Sequence, residues 1–372
     1  MWRKIISSIL VGMMLIACTG CSNSDISSNS TGSEIDSAKE TIKVIAPEDA
    51  KNTDVIKIGD EVIKLDYVYL YVIQFLYTFK MADGSSVKDN MSTYKEQIIS
   101  QLRTDEIQYQ YAKKNGIELT EKEKEEMDAV VDKYYKTFSE EFLEGYGISR
   151  DTVTDLFYKQ RYLTILNDNA TKELQEELTQ EAEKDLKDKE FFELYYLLFP
   201  TVEYGEDGKA VVDSAGNNVK LSSEKLEEQK ALAEDARKRL MDGEDAEKLA
   251  EEYKIKDYSD TLRAYKGAYS EELNNLIQDM KEGDISEVYE DDLGYMVVKM
   301  IKTNDEEYKQ YYIEASVSQK VQQQLSEKKN EWLQTVEVDM ENDMVGAIWK
   351  NLDISKIAKK MEKENLIQDS SK

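Results

Sequence analysis

The 372-residue chain is strongly acidic, with 77 Asp and Glu against 49 Lys and Arg and a formal net charge of −28. Such a charge repels phosphate backbones, so a nucleic-acid partner is not expected. The sequence contains no histidine. This excludes serine–histidine triads, cysteine–histidine pairs and zinc sites built on histidine, and we expect no metal or other cofactor. The charge is compatible both with simple solubility and with attraction to basic partners.

The N-terminal pattern predicts an export signal. A basic start precedes an apolar run from Ile5 to Ile16, which is too short to cross a bilayer as a helix, since about 20 residues are needed. The step Leu15–Cys18 resembles a bacterial lipobox. It predicts that residues 1–17 are a lipoprotein signal peptide and that Cys18 is the lipidation site. An ordinary secretory signal, or Cys21 as the acceptor, remain the alternatives.

A polar segment follows the signal. Residues 22–40 are rich in Ser, Asn and Asp and offer almost nothing to bury, so residues 18–53 are predicted to form a disordered tether. The two cysteines of the chain are Cys18 and Cys21. The folded part is therefore expected to have no disulfide and no thiol chemistry.

Residues 54–189 are predicted to form a helical domain. Val55–Ile63 alternates and turns at Gly59, which predicts a small hairpin. Thr120 and Glu123 form a capping box that opens a helix. Other helices are predicted from apolar spacing at about residues 66–80, 92–114 and 149–189. Five tyrosines on these helices either pack in the core or form an exposed surface for unfolded segments: Tyr67, Tyr71, Tyr77, Tyr134 and Tyr135.

The pattern changes at residues 190–303. Phe192–Phe199 is the clearest strand in the chain, and Gly294–Ile301 is a second. Between them the pattern predicts a protruding hairpin near residues 209–212 and helices at about 223–241, 246–253 and 271–281. This order predicts a compact α+β domain with one sheet.

Residues 304–372 are helical again. From Glu306 to about Val338 an apolar stripe recurs at helical spacing, and a further apolar group near Trp349 needs a partner surface. We expect these C-terminal helices to pack on the helical domain, because the middle domain accounts for its own faces.

Four ordered motifs in the middle segment resemble those of parvulin-type domains. Tyr196–Leu198 corresponds to a His-Ile-Leu step and Gly243–Ala250 to a Gly-x-Asp-Phe-x-x-Leu-Ala stretch. Met280–Ser286 corresponds to a Leu-Lys-x-Gly-(Asp/Glu)-(Ile/Val)-Ser turn and Gly294–Val297 to a Gly-Tyr-His-Ile step. The hairpin Ile58–Ile63 and the segment around Ala112–Ile117, with its Ala-Lys-Lys-x-Gly-Ile pattern, look like parts of the helical chaperone domain in the PrsA/SurA class of extracytoplasmic foldases.

The resemblance implies a fold and a site. The fold is α+β and mostly helical: a SurA-N-like helical chaperone domain, completed by a C-terminal helix, with an inserted parvulin-like small-sheet domain. The two active-site histidines of parvulins map to Tyr196 and Met296, so both imidazoles are missing. Tyr269, Leu273 and Leu198 map to peptide-binding positions.

The resemblance also implies a function and leaves alternatives. The first is a membrane-anchored extracytoplasmic chaperone or foldase that binds unfolded or partly folded exported proteins, with a degenerate peptidyl-prolyl isomerase domain. The second is an active isomerase despite the lost histidines. The third is a surface binding protein that reuses the fold. In each case the lipid anchor is the expected link to the membrane.

Overall fold

The computed structural model describes residues 46–83, 87–205, 208–336 and 348–367. They divide into two compact units: residues 175–320 form the sheet unit, and the described residues up to 174 and from 321 onward form the helical unit. The divisions fall inside two long helices, whereas the sequence placed them at 189/190 and 303/304. The predicted signal peptide and Cys18 lie outside the described residues.

The helical unit contains a two-stranded sheet and a set of helices, and two of its helices run on into the sheet unit. Its elements are α1 (Pro47–Ala50), β1 (Asp54–Ile58), β2 (Glu61–Lys64), α2 (Leu65–Asp83), α3 (Met91–Lys114), α4 (Glu121–Phe138), α5 (Glu140–Glu144) and α6 (Arg150–Leu186).

The sheet unit and the C-terminal segment supply the remaining elements. They are β3 (Phe191–Pro200), α7 (Ser223–Met241), α8 (Ala246–Glu252), a 3₁₀ turn (Lys256–Tyr258), β4 (Asp260–Tyr265), α9 (Glu271–Ile277), β5 (Tyr289–Glu290), β6 (Gly294–Thr303), α10 (Glu306–Leu333), α11 (Ile348–Asn351) and α12 (Ile354–Lys363). The predicted fold class, mostly helical α+β with small antiparallel sheets, is confirmed.

Local sequence signals set several element ends in the helical unit. The Thr120 side chain accepts from the Glu123 N–H while the Glu123 side chain accepts from the Thr120 N–H, which completes the predicted capping box. The predicted hairpin also forms: β1 and β2 pair antiparallel, with Ile58 opposite Glu61. Gly59 in this turn has a φ of +57°, a conformation that glycine adopts at little cost.

The predicted tether is too long at its C-terminal end. Residues 47–50 form α1, and Ala50 is buried. A Cβ added to Gly147 would lie 2.1 Å from the Pro47 carbonyl oxygen, so α1 packs directly against the backbone there. The Thr53 carbonyl accepts from the Leu65 N–H at 2.9 Å. Residues 46–53 therefore belong to the fold, because these backbone contacts hold a segment whose polar composition suggested disorder.

The C-terminal segment completes the helical core, as predicted. Buried Trp349, Ile357 and Met361 belong to the same apolar cluster as residues of α2, α3 and α6. The Lys95 ammonium donates to three backbone carbonyls at the end of α11, at 2.5 to 3.0 Å, and lies 5.1 Å from the centre of the Trp349 ring. Chain ends more than 200 residues apart thus share one core.

The helical tyrosines are mostly core residues. Tyr67, Tyr71, Tyr77 and Tyr134 are all buried, so these four do not form an exposed surface for unfolded segments. Tyr135 is partly buried beneath the Arg150 guanidinium, which lies 5.7 Å from its ring centre. Of the two alternatives for these five tyrosines, packing in the core is the one that the structure shows.

The Asp105 carboxyl on α3 accepts two hydrogen bonds from neighbouring side chains. The Tyr71 hydroxyl donates to Asp105 Oδ2 at 2.9 Å, and Gln101 Nε2 donates to Asp105 Oδ1 at 2.7 Å. Burial raises the pKa of Asp105 to about 6, with a smaller increase from Glu106, while the two hydrogen bonds lower it. Desolvation thus outweighs the hydrogen bonds, and the neutral carboxyl is favoured in the folded protein.

We expect Asp105→Asn to flatten the pH dependence of stability. An unfolded Asp has a pKa of about 3.9, so between about pH 4 and pH 6 the folded state binds the extra proton. The free energy of unfolding therefore falls as the pH rises through this interval, and the Asn variant lacks that fall. Urea unfolding at several pH values measures it, with exposed Asp168→Asn as the control. The same slope in both variants would contradict the assignment.

The sheet unit is built on four antiparallel strands in the order β4-β3-β6-β5. β3 and β6, the two strands predicted to be adjacent, pair along their length with Leu197 opposite Val297. One face of the sheet packs on α7 and α8, and the other packs on α9. The sequence did not predict β4 or β5. The predicted hairpin near residues 209–212 is a loop that contains isolated antiparallel β-bridges, such as the one between Tyr204 and Ala210.

No helix in the described part of the chain is both long enough and apolar enough to cross a membrane.

Candidate functional site

The candidate site lies on the two central strands of the sheet unit. Tyr196 of β3 is opposite Val298 of β6, and Leu198 is opposite Met296. Alternate residues of a strand share a face, and directly opposed residues of paired strands do too. Tyr196, Leu198 and Met296 therefore stand on the same face of the sheet, which is the face that packs on α9.

An apolar floor supports this face. Leu273 and Ile277 of α9 are buried against strand residues of β3, β4 and β6, and the side chains of Tyr196 and Met296 pack at the edge of this cluster. The structure thus brings together Tyr196, Met296 and Leu273, three of the residues selected from the sequence. Other partly buried members of the edge are Leu262, Leu276, Met280 and Tyr289.

Tyr269 lies apart from this apolar floor. It precedes α9 and is 49% exposed, and its backbone carbonyl accepts from Asn274 Nδ2 at 2.9 Å. Burial raises the pKa of Tyr196, and Asp260 and Tyr269 raise it further. Tyr269 is therefore an exposed neighbour of Tyr196, and the Tyr196 hydroxyl stays protonated at neutral pH.

Tyr289 is a site residue that the sequence reasoning missed. It is opposite Met296 in the ladder between β5 and β6, and its hydroxyl donates to Met296 Sδ at 3.0 Å. Burial is the main cause of a raised pKa for Tyr289. The available signal was the pair Val288-Tyr289 ahead of an acidic turn and the last strand, a pattern typical of a short hairpin.

Two serine hydroxyls hold the strands that carry the site. Ser259 accepts from the Leu198 N–H at 3.3 Å, and Ser286 accepts from the Val298 N–H at 2.9 Å. Both serines are buried. Because these bonds satisfy strand N–H groups from outside the regular ladder, they fix the backbone beside Tyr196 and Met296.

This face of the sheet offers few hydrogen-bonding groups to a ligand. Tyr196 offers one hydroxyl, Met296 offers a weak sulfur acceptor and no donor, and the Tyr289 hydroxyl is engaged by that sulfur. Within the described ranges, no group of three or more Asp, Glu, Cys or His side chains is placed to hold a metal ion. The face can therefore bind an apolar segment and offer it one free phenol.

Comparison with protein-family models identifies a known domain in the sheet unit. Residues 211–312 match the model of the PPIC-type PPIase domain. No curated protein matches the chain. The match begins after β3, and the structure adds this strand to the sheet as the partner of β4 and β6.

Several solved structures are similar over most of their length. The foldase PrsA of Lactococcus lactis is 16% identical, with a TM-score of 0.35, over 78% of this chain and 96% of that one. PrsA of Bacillus subtilis is 17% identical, with a TM-score of 0.26, over 79% and 97%. A structure from work on PEB4 and Cj1289, two SurA-like chaperones of Campylobacter jejuni, is 12% identical, with a TM-score of 0.25, over 77% and 98%.

The family assignment rests on the domain match together with the site geometry. The motifs that suggested the resemblance lie in the sheet unit, and its two long strands pair as the resemblance requires. The resemblance to parvulin foldases is therefore confirmed for this part of the chain, which carries a PPIC-type parvulin domain.

Proposed function

We propose that this protein is a lipid-anchored extracytoplasmic foldase of the chaperone type, which binds unfolded or partly folded exported proteins. In this proposal Cys18 carries the lipid, and the signal-like start and the Leu15–Cys18 step support the anchor. The parvulin domain supports a role in handling peptide chains. In this proposal the isomerase activity of that domain is lost.

The composition of the parvulin face supports the loss of catalysis most directly. Rotation about a prolyl bond crosses a barrier of about 18–20 kcal/mol, and a catalyst must favour the twisted amide over the planar one. Polar groups placed around the bond do this. At the two positions where the resemblance implies imidazoles, this chain has Tyr196 and Met296. One phenol and a thioether are a weak replacement for two imidazoles, which each carry two nitrogen atoms.

Apolar binding is retained on the same face. Leu273 is buried beside Tyr196 and Met296, and partly buried Leu276 and Met280 extend the apolar edge. The flexible thioether of methionine adapts to varied apolar partners. We infer that this face still holds segments of a client after losing the groups that would twist them.

A client-aggregation assay tests the proposal. Dithiothreitol-reduced insulin is a suitable client, because the reductant leaves the folded part of this chain unchanged: its two cysteines are Cys18 and Cys21. We expect the full chain to suppress light scattering at near-stoichiometric ratios, and to do so equally in 0.5 M salt. An unrelated protein of equal size and acidity is the control. Equal suppression by that control, or none by this chain, would contradict client binding.

Active isomerisation is the second candidate. The protonated hydroxyl of Tyr196 favours it, because a neutral phenol can donate to a carbonyl or a prolyl nitrogen. A rate enhancement that Tyr196→Phe abolishes would support this candidate over the first.

A further inference from the structure

An open cleft lies in the helical unit. Its volume is about 490 Å³. The whole of strand β2 forms one wall, and residues of α2, α3 and α6 form the rest. The charged residues of its lining are Glu61, Lys64, Asp66, Asp151, Asp155 and Lys159.

The strand along this cleft has an unpaired edge. β2 pairs only with β1 among the described strands. Ile58 and Glu61 close the two-residue turn, and Val62 is opposite Lys57 in the next pair. Hydrogen-bonded and non-hydrogen-bonded pairs alternate in an antiparallel ladder, so the Val62 N–H and carbonyl point outward. An extended peptide can add to such an edge through its backbone.

The two lysines of the cleft are already engaged. Lys64 forms an ion pair with Asp54. Lys159 Nζ lies 3.0 Å from Glu106 Oε2 and 3.3 Å from Asp155 Oδ2. It also lies 4.9 and 5.0 Å from two tyrosine ring centres, those of Tyr67 and Tyr109. The lysines therefore offer little to an anionic ligand.

Some carboxylates that line the cleft have no positively charged partner among the described residues. Within the described part of the chain, Glu61, Asp66 and Asp151 have no ion-pair partner. Asp66 is only 6% exposed, and its one hydrogen bond is from the Thr152 hydroxyl to Oδ2 at 2.8 Å. Burial is the main cause of a raised pKa for neighbouring Asp155; its ion pair with Lys159 lowers that pKa, and the carboxylates of Glu106 and Asp66 raise it. A buried carboxylate short of positive charge is costly, and a ligand cation would offset that cost.

We propose that this cleft binds an extended peptide segment as a third strand beside β2, with a Lys or Arg side chain of the segment directed to Asp66. The inference rests on the proposed function and adds the chemistry of the client: extended segments that carry an isolated basic residue. The strand edge supplies backbone bonds that any sequence can make. The carboxylates supply the preference for a basic side chain.

Fluorescence anisotropy with the full chain tests both parts. The probes are labelled ten-residue peptides of alternating Thr and Val, identical except for a central Arg, Gln or Glu. We expect the Arg peptide to bind about tenfold more tightly than the Gln peptide, since hydrogen bonds to charged groups contribute more than neutral ones. The Glu peptide should bind most weakly. Asp66→Asn should remove the preference for Arg, and Asp168→Asn, an exposed change on α6, should retain it.

The strand edge has its own variants. Val62→Pro removes the outward N–H without breaking the pairing with β1, because proline is tolerated at such edge positions. The Val62→Pro variant should bind all three peptides more weakly, by a similar factor for each. The Val62→Thr variant should bind them with the affinity of the unchanged chain. Melting curves establish that each variant is folded.

Three results would overturn the inference. These are equal binding of the Arg and Gln peptides, an Arg preference that survives Asp66→Asn, and full binding by a folded Val62→Pro variant. The insulin assay separates this failure from failure of the proposed function. A chain that suppresses aggregation but shows none of these peptide effects binds clients elsewhere.

Discussion

Replacing Tyr196 and Met296 together by histidine should raise prolyl isomerase activity at least about tenfold over the unmodified chain. The two positions already share a face, with Leu198 opposite Met296 and Tyr196 one alternation away. Two imidazoles would restore the nitrogen donors and acceptors that the resemblance implies. A tenfold gain corresponds to about 1.4 kcal/mol of transition-state stabilisation, which one well-placed hydrogen bond supplies. A protease-coupled assay on a proline tetrapeptide measures the rate.

The matched control places two histidines elsewhere in the same unit. Tyr311 and Met241 are 64% and 60% exposed, so Tyr311→His with Met241→His makes the same chemical change away from the site. This variant should remain at the rate of the unmodified chain. The single variants Tyr196→His and Met296→His separate the two positions. If the double variant at the site folds and gains nothing over the exposed pair, the parvulin face is not a catalytic scaffold that has lost its imidazoles.

Truncating one C-terminal side chain should destabilise the whole helical unit. Ile357 is 3% exposed and packs in the core that residues of α2 and α3 also form. Ile357→Ala should lower the free energy of unfolding by about 2–5 kcal/mol, the range for large-to-small changes in a packed core. The effect should appear in the N-terminal helices, because both ends of the chain contribute to one core.

Tryptophan emission during urea unfolding isolates this effect. Trp332 and Trp349 lie in the helical unit, and Trp2, the third tryptophan, lies in the predicted signal peptide. The sheet unit contains no tryptophan, so the change in emission on unfolding of the described residues comes from the helical unit. The control is Lys359→Ala, an exposed change on α12, which should cost less than about 0.5 kcal/mol. Equal stabilities for the two variants would show that α12 does not complete the core.

Regular elements with strong local signals could be predicted from the sequence. The capping box at Thr120 fixed the start of α4, and the alternation around Gly59 fixed the β1–β2 hairpin. β4 was missed because its apolar alternation is short: Leu262 and Ala264 alternate with polar residues, and only Ala264 is buried in this edge strand. β5 was missed because it is two residues long and forms only by pairing with β6.

The candidate site could be predicted in part. Tyr196 and Met296 were selected because the resemblance to parvulin domains maps the two histidine positions onto them. Both lie inside strong strand patterns, and the register of β3 with β6 places them on one face. Tyr289 could not be found in this way, since its bond to Met296 depends on a pairing across a turn. The cleft beside β2 also needs tertiary structure, because it joins residues of the hairpin to Thr152 and Asp155 on α6.

The isomerase assay on the unmodified full chain tests the central claim most directly, with aggregation of reduced insulin followed on the same sample. We predict a prolyl isomerisation rate equal to the uncatalysed rate at every protein concentration, in a sample that suppresses aggregation. An acceleration that rises in proportion to protein concentration, and that Tyr196→Phe abolishes, would contradict the account.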